Sequence, residues 1–199
     1  MTLIAVSQRV VVEPSYAERR DALDQAWPRF LAACGLTAIA VPNVPSVATG
    51  LVARLPIAGL LLTGGNDLAA YGGTAPERDE TERLLLEWAG SRGLPTLGVC
   101  RGMQVILDAA GIPLRRVTGH VTPAHPVTID GREDLVNSYH AFAATGAAAP
   151  FQVWATAADG VVEAIRAPER RTVAIMWHPE RAETFAERDI ALFRDHFRP

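Results

Sequence analysis

The chain has 199 residues, 49% of them apolar, with a formal net charge of −3 at pH 7 and a pI near 5.9. That length fits a single domain spanning 1–199 around one sizeable core, and the weak negative balance supplies no positive field for nucleic acid or an anionic membrane surface. All 19 basic residues are arginines, which excludes Schiff-base chemistry and a Walker-type phosphate lysine.

Two cysteines, Cys34 and Cys100, stand in unlike surroundings without metal-ligand spacing, which argues against a disulfide framework and for a reduced, cytoplasmic setting. The N-terminus lacks the basic and apolar segments of a secretion signal, and no apolar run reaches membrane-spanning length.

In chain order, Leu3 to Val11 reads as a buried strand. Tyr16 to Cys34 carries a helical pattern that Pro28 should kink or split, because proline lacks an amide hydrogen and clashes with the preceding turn. Thr37 to Val41, Ile57 to Thr63 and Pro95 to Val99 are short apolar runs bounded by Gly, Pro or polar residues, as buried strands are. Glu77 to Ser91 reads as a helix: Pro76 suits its first turn, Glu77, Asp79 and Glu80 complement its dipole, and Leu84, Leu85 and Trp88 form an apolar face. A further helix runs from Gly102 to Ala110. Strand alternating with helix predicts a mostly parallel sheet covered on both faces.

Beyond Gly111 the texture changes to short β-like pieces, Val127 to Ile129, Phe151 to Thr156, Val161 to Ala167 and Thr172 to Trp177, before a last helix over Ala182 to Phe197. Asn137 and the Ala-rich stretch from Ala141 to Pro150 read as loop. No internal repeat is present.

The strongest local signal is Leu97-Gly98-Val99-Cys100-Arg101-Gly102-Met103-Gln104, a strand running into Gly-x-Cys-x-Gly and then a helix. This is the nucleophile-elbow pattern with cysteine in place of serine. Flanking glycines suit a turn too tight for nearby Cβ atoms, and a helix N-terminus favours a thiolate while leaving the Arg101 amide free to donate to an oxyanion. A second signal is Val173-Ala-Ile-Met-Trp-His178-Pro179-Glu180. Proline confines the residue before it to extended backbone, so His178 and Glu180 can face the same way, supplying a base and its orienting carboxylate. A third is Leu60-Leu-Leu-Thr-Gly64-Gly65-Asn66-Asp67, a buried strand emptying into a Gly-Gly turn at the sheet edge where open α/β sheets bind ligands. The Gly65 amide is the second oxyanion donor in this reading. His120 and His125 have no further ligand at suitable spacing, so no metal site is expected.

These pieces, in this order, resemble the class I glutamine amidotransferase superfamily over nearly the whole chain. Thr63-Gly-Gly-Asn-Asp67 and Val136-Asn-Ser-Tyr-His140 resemble more narrowly its γ-glutamyl hydrolase branch, peptidase family C26. The resemblance implies a flavodoxin-like three-layer sandwich in which Cys100 is the nucleophile, His178 the base and Glu180 its partner, with Gly65 and Arg101 donating backbone amides. It further implies that Gly64, Gln104, Asn137, Ser138, Tyr139 and His140 line the γ-glutamyl pocket. γ-Glutamyl-GABA hydrolases usually carry His-His-Gln after Asn-Ser-x, where this chain has His140-Ala141-Phe142. Ser7-Gln-Arg9, Ser15-Tyr-Ala-Glu-Arg19, Gly64-Gly-Asn-Asp67 and Met176-Trp-His-Pro-Glu-Arg181 look more similar to γ-glutamyl-CDP-amidate hydrolases, which act in capsule phosphoramidate synthesis; Arg9 or Arg19 could then meet phosphate oxygens of the leaving group.

The implied reaction is cleavage of a γ-glutamyl amide through a thioester, with a small-molecule substrate and no task for a metal or organic cofactor. An ammonia-supplying glutaminase subunit docked on a separate synthetase would use the same chemistry, and a non-catalytic binding module would keep only the fold. The leaving group and the oligomeric state are left open by the sequence.

Overall fold

The computed structural model describes residues 2–198. Its first half alternates strand and helix: β1 (Thr2–Val6), a hairpin of β2 (Arg9–Glu13) and β3 (Glu18–Ala22), α1 (Ala26–Ala33), β4 (Leu36–Ala40), α2 (Pro45–Arg54), β5 (Gly59–Leu62), α3 (Pro76–Ser91), β6 (Thr96–Val99) and α4 (Arg101–Ala109). The second half is strand-rich: β7 (Arg115–Arg116), β8 (Val121–Ile129), β9 (Arg132–Tyr139), β10 (Phe142–Ala143), β11 (Gln152–Ala157), β12 (Val162–Ala167) and β13 (Thr172–Ile175) precede α5 (Glu187–His196).

One nine-stranded sheet, ordered β4-β1-β5-β6-β13-β12-β11-β8-β9, carries the fold. Its first five strands are parallel, and β12, β11, β8 and β9 continue it as an antiparallel wing. Every residue of β5 and β6 is buried, as strands covered on both faces must be. One face packs on α2, α3 and α4 through Val52, Leu85 and Ile106; the other packs on α1 and α5, where Phe30 and Phe193 meet edge to face at 4.8 Å. This is the expected flavodoxin-like three-layer α/β sandwich.

Four local expectations are corrected. Leu3 to Val11 is not one strand: the chain leaves the sheet after Val6, where the Ser7 hydroxyl accepts from the Thr63 amide at 2.9 Å. The following hairpin is then held by the Asn66 side chain, which accepts from the Val10 amide at 2.8 Å and donates to its carbonyl at 2.9 Å. The helical pattern on Tyr16 to Cys34 therefore holds only from Ala26. Pro28 falls in the first turn of α1, where a missing N–H costs nothing, and it neither kinks nor splits the helix. Asn137 lies in β9 rather than in a loop. The sequence reading also missed α2, whose buried stripe is only Ala48 and Val52, interrupted by Gly50.

The packing that matters most for the site is the crossing of α4 over the end of β5. A Cβ on Gly102 would lie 2.7 Å from the carbonyl carbon of Leu62, and one on Gly98 would lie 2.7 Å from the carbonyl carbon of Gly102. Backbone meets backbone there, so any side chain would push the helix away. Cys100 sits between these glycines with φ 52° and ψ −105°, a positive-φ conformation that costs a non-glycine residue about 1–3 kcal/mol.

Gly102→Ala is accordingly expected to destabilise the fold by about 1–3 kcal/mol through overpacking, read as a lower midpoint in thermal unfolding. Gly50→Ala, in the middle of α2 with only the flexible end of Arg54 within 4 Å, is expected to stabilise by up to about 1 kcal/mol. Equal effects from the two substitutions would contradict the steric account.

Candidate active site

β6 ends at Val99, and Cys100 follows as the residue capping α4 at the carboxyl edge of the sheet. Its backbone is pinned: its amide donates to Ile175 O at 2.8 Å, and its carbonyl accepts from the Gln104 amide at 3.1 Å. Cys100 as a residue is 6% exposed, at the carboxyl edge of the sheet. Arg101 opens α4, so its N–H belongs to the first turn, where amides have no partner within the helix.

β13 runs parallel to β6 with Ile175 opposite Val99, so the chain leaves the sheet beside Cys100 and delivers His178 there. The imidazole is buried, and its Nδ1 lies 2.7 Å from Glu180 Oε1 across Pro179, leaving Nε2 for the Cys100 sulfur. Burial opposes a charge on the ring, but the neighbouring Cys100 and the Glu180 carboxylate outweigh it and push His178 up to about 9. Asn137 brackets the same residue, accepting from the His178 amide at 2.7 Å and donating to its carbonyl at 2.8 Å. Tyr139 sets its ring edge-on to the imidazole at 5.9 Å, and Arg181 lies over the Tyr139 ring at 4.9 Å. Gly64 closes the far side, where a Cβ would lie 2.5 Å from His178 Cε1.

The Gly-Gly turn is held from beneath by a residue the sequence reading did not single out. Arg78, fully buried, donates to Thr63 O at 2.8 Å and Gly64 O at 3.1 Å, and also to Gly65 O. Three successive carbonyls drawn to one guanidinium fix the peptide planes of the turn and hence the direction of its amides. Arg78 is paired in turn with Glu82 at 3.0 Å, and the buried Arg101 side chain bridges Glu82 and Asp79. Burial pulls Arg78 down to about 10, against Glu82, so it stays charged at neutral pH. The Arg-x-x-x-Glu spacing within α3 was the available signal; a solvated helix face was the ordinary reading of it.

Other expected pocket residues separate by geometry. Along β9 and the residue after it, side chains alternate, so Asn137 and Tyr139 face His178 while Ser138 and His140 point to the opposite face. Ser138 Oγ donates to His120 O at 2.7 Å, and His140 Nε2 lies 3.5 Å from Glu163 Oε1, so neither reaches the cleft as expected from the pocket assignment. Gln104 donates its side-chain amide to Phe142 O at 2.8 Å, tying α4 to the strand after β9. Arg9 folds over Gly65 and lines the cleft with Gly64, His178, Glu180 and Arg181. Arg19 is taken by Glu77 and Thr74 O and turns away. For His120 and His125, the fold supplies the third ligand that linear spacing did not: Glu163 of β12 joins them. A broad groove at the other end of β6 and β13, lined by Thr96 and Thr172, holds none of these groups.

Because His178 binds its proton more tightly folded than unfolded, its contribution to stability is complete below pH 6.5, declines between 6.5 and about 9, and is absent above. Cys100→Ala removes the charge that raises the ring, so an NMR titration of His178 is expected to show its midpoint falling from near 9 in that variant. A midpoint indifferent to Cys100 would contradict the contact.

The model of the class I glutamine amidotransferase family matches residues 22–198. The chain is 28% identical over 181 residues to a γ-glutamyl-CDP-amidate hydrolase of Campylobacter jejuni, covering 89% of this chain and 90% of that one. It is 28% identical over 153 residues to a glutamine-hydrolysing GMP synthase of Thermosynechococcus vestitus, covering 72% of this chain but 27% of the larger protein. Among solved structures, the glutaminase domain of a Trypanosoma brucei CTPS with bound acivicin superposes with a TM-score of 0.72 at 15% identity, over 99% of this chain and 94% of that one. A glutamine amidotransferase of Thermotoga maritima gives 0.68 at 15%, over 98% and 83%. With its elbow, its histidine and its sheet order in one arrangement, the chain belongs to the class I glutamine amidotransferase family.

Proposed function

We propose that this protein is a free-standing γ-glutamyl hydrolase in which Cys100, His178 and Glu180 act as one catalytic unit. The observation that carries the reading is the buried His178, bonded through Nδ1 to Glu180 and turned by its other nitrogen to a cysteine held at positive φ. In this scheme the Cys100 thiolate attacks the γ-carbonyl carbon, and the oxygen that gains charge is held by the amides of Gly65 and Arg101. His178 gives its proton to the departing nitrogen, the C–N bond breaks, and a γ-glutamyl thioester remains. Water, deprotonated by the same imidazole, attacks the thioester; glutamate leaves and the sulfur regains its charge. Asn137 acts as a positioning residue for the histidine, and Gly64 leaves room for its ring.

For the leaving group, a γ-glutamyl-CDP-amidate is the favoured substrate. It is supported by the similarity across about nine-tenths of both chains to a hydrolase of that name. Arg9 and Arg181 beside the cleft offer cations for phosphate oxygens. Arg19 drops out of that role through its pairing with Glu77. The second reading, a glutaminase subunit working with a synthetase, draws on the similarity to GMP synthases.

The test is glutamate release from a panel of γ-glutamyl amides that includes glutamine and a cytidine-nucleotide phosphoramidate. Hydrolysis by the purified chain alone is expected, with Cys100→Ala lowering kcat by at least about 10⁴-fold and Glu180→Gln by at least about 10²-fold. Activity retained in Cys100→Ala would sink the mechanism, and ammonia released from glutamine only on adding a synthetase would favour the second reading.

A further inference from the structure

The antiparallel wing contains a buried group of side chains for which the proposed reaction has no use. His120 precedes β8, His125 lies within it, His140 follows β9 and Glu163 lies in β12; all four are buried. Three imidazole nitrogens converge on one carboxylate oxygen: His120 Nδ1, His125 Nε2 and His140 Nε2 lie 3.0, 3.3 and 3.5 Å from Glu163 Oε1. Among the described residues, both nitrogens of His140, Nε2 of His125 and the second oxygen of Glu163 have no hydrogen-bond partner. Unpartnered buried polar atoms cost roughly 1–3 kcal/mol each, so a cluster of them around one carboxylate calls for something to satisfy them.

Backbone geometry shows that the convergence is built. His120 and His125 are five positions apart, an odd spacing that places side chains on opposite faces of a regular strand. A β-bulge corrects this: in β8, Thr122 pairs with Ser138 but His125 pairs with Val136, so β8 carries one residue more than β9 over that span. The extra residue, at Pro123-Ala124, returns His125 to the face of His120, and the two rings stand 4.5 Å apart. His120 is also oriented from behind, its Nε2 lying 3.0 Å from the half-exposed Asp159. An imidazole with one nitrogen facing a shared point and the other bonded to a carboxylate is the arrangement that fixes a metal-binding histidine.

We propose that His120, His125 and Glu163 form a binding site for a divalent transition-metal ion, Zn²⁺ foremost, with Asp159 orienting His120 and His140 packed beside it. Imidazole and carboxylate donors suit zinc, and the ligand atoms of His120, His125 and Glu163 all lie within 4.8 Å of one another. The burial of all three donors, with His140 buried beside them, makes this a structural site rather than a second reaction centre. It ties β8, β9 and β12 together just behind Asn137 and Tyr139. The Glu163 carbonyl also accepts from the Met176 amide at 2.8 Å, two residues before His178. Metal bound there would brace the wall that positions the histidine.

The experiment is metal analysis of the untagged protein after dialysis against zinc sulfate and removal of excess, in wild type, Cys100→Ala, His125→Asn, Glu163→Gln and Asp159→Asn. About one zinc per chain is expected in wild type and in Cys100→Ala, with none in His125→Asn or Glu163→Gln. Asp159→Asn, half-exposed and safe for folding, is expected to bind zinc about 10–100-fold more weakly. EDTA should lower the unfolding midpoint of wild type and leave that of His125→Asn unchanged. Wild type holding less than about a tenth of an equivalent, or His125→Asn retaining its zinc while Cys100→Ala loses it, would overturn the site and leave a metal-free imidazole–carboxylate network.

Discussion

Everything at the sheet edge depends on a single close approach, that of α4 to the end of β5. With no side chain at Gly98 or Gly102, the helix starts almost on top of the Leu62 carbonyl, and Cys100 takes a strained positive-φ turn between strand and helix. Sheet order then does the rest: β5 and β13 are the two neighbours of β6, so the Gly-Gly turn and His178 emerge on either side of that sulfur. The strain at Cys100 is offset by anchoring, since its amide and carbonyl are both bonded and seven successive residues of α4, Arg101 to Leu107, are buried.

The electrostatic support lies below the surface of the cleft. Arg78 and Arg101 would be costly as isolated buried cations, and Glu82 and Asp79 as isolated anions; together they compensate one another and leave guanidinium N–H groups over for the carbonyls of the Gly-Gly turn. Arg101 thus serves twice, through its side chain in this network and through its backbone at the start of the helix. Above, Glu180 and Asn137 fix the ring and the backbone of His178. Buried hydrogen bonds and ion pairs thus hold both flanks of the sulfur, the preorganisation that the proposed chemistry requires.

The parts of this legible in sequence were those set by short-range rules. Gly-x-Cys-x-Gly after a buried strand, and His-Pro-Glu after another, name their own geometry because glycine and proline restrict the backbone locally. Parallel strands β4, β5 and β6 were visible as apolar runs for the same reason. What escaped was set by long-range pairing. Arg78 reads as a surface helix arginine until the Gly-Gly turn is placed above it. Ser138 and His140 read as pocket residues until β9 is seen to pair with β8, after which alternation sends them to the other face. His120 and His125 read as an idle pair until a bulge and a distant strand bring Glu163 to them. The β2–β3 hairpin, with exposed Val11 and Val12, reads in sequence as strand and helix because its docking on Asn66 is a tertiary contact.

For the proposed pairing of the Cys100 sulfur with the His178 ring, the two cysteines provide an internal comparison. Burial pushes the Cys34 thiol up to about 12, so it should be inert. The most direct measurement is the rate at which a small neutral alkylating agent modifies each cysteine at pH 7, mapped by mass spectrometry in wild type and in His178→Gln. Modification of Cys100 on the order of a hundredfold faster than Cys34, slowed at least about tenfold by His178→Gln, is the predicted result. Cys100 reacting no faster than Cys34, or at a rate indifferent to His178, would contradict it.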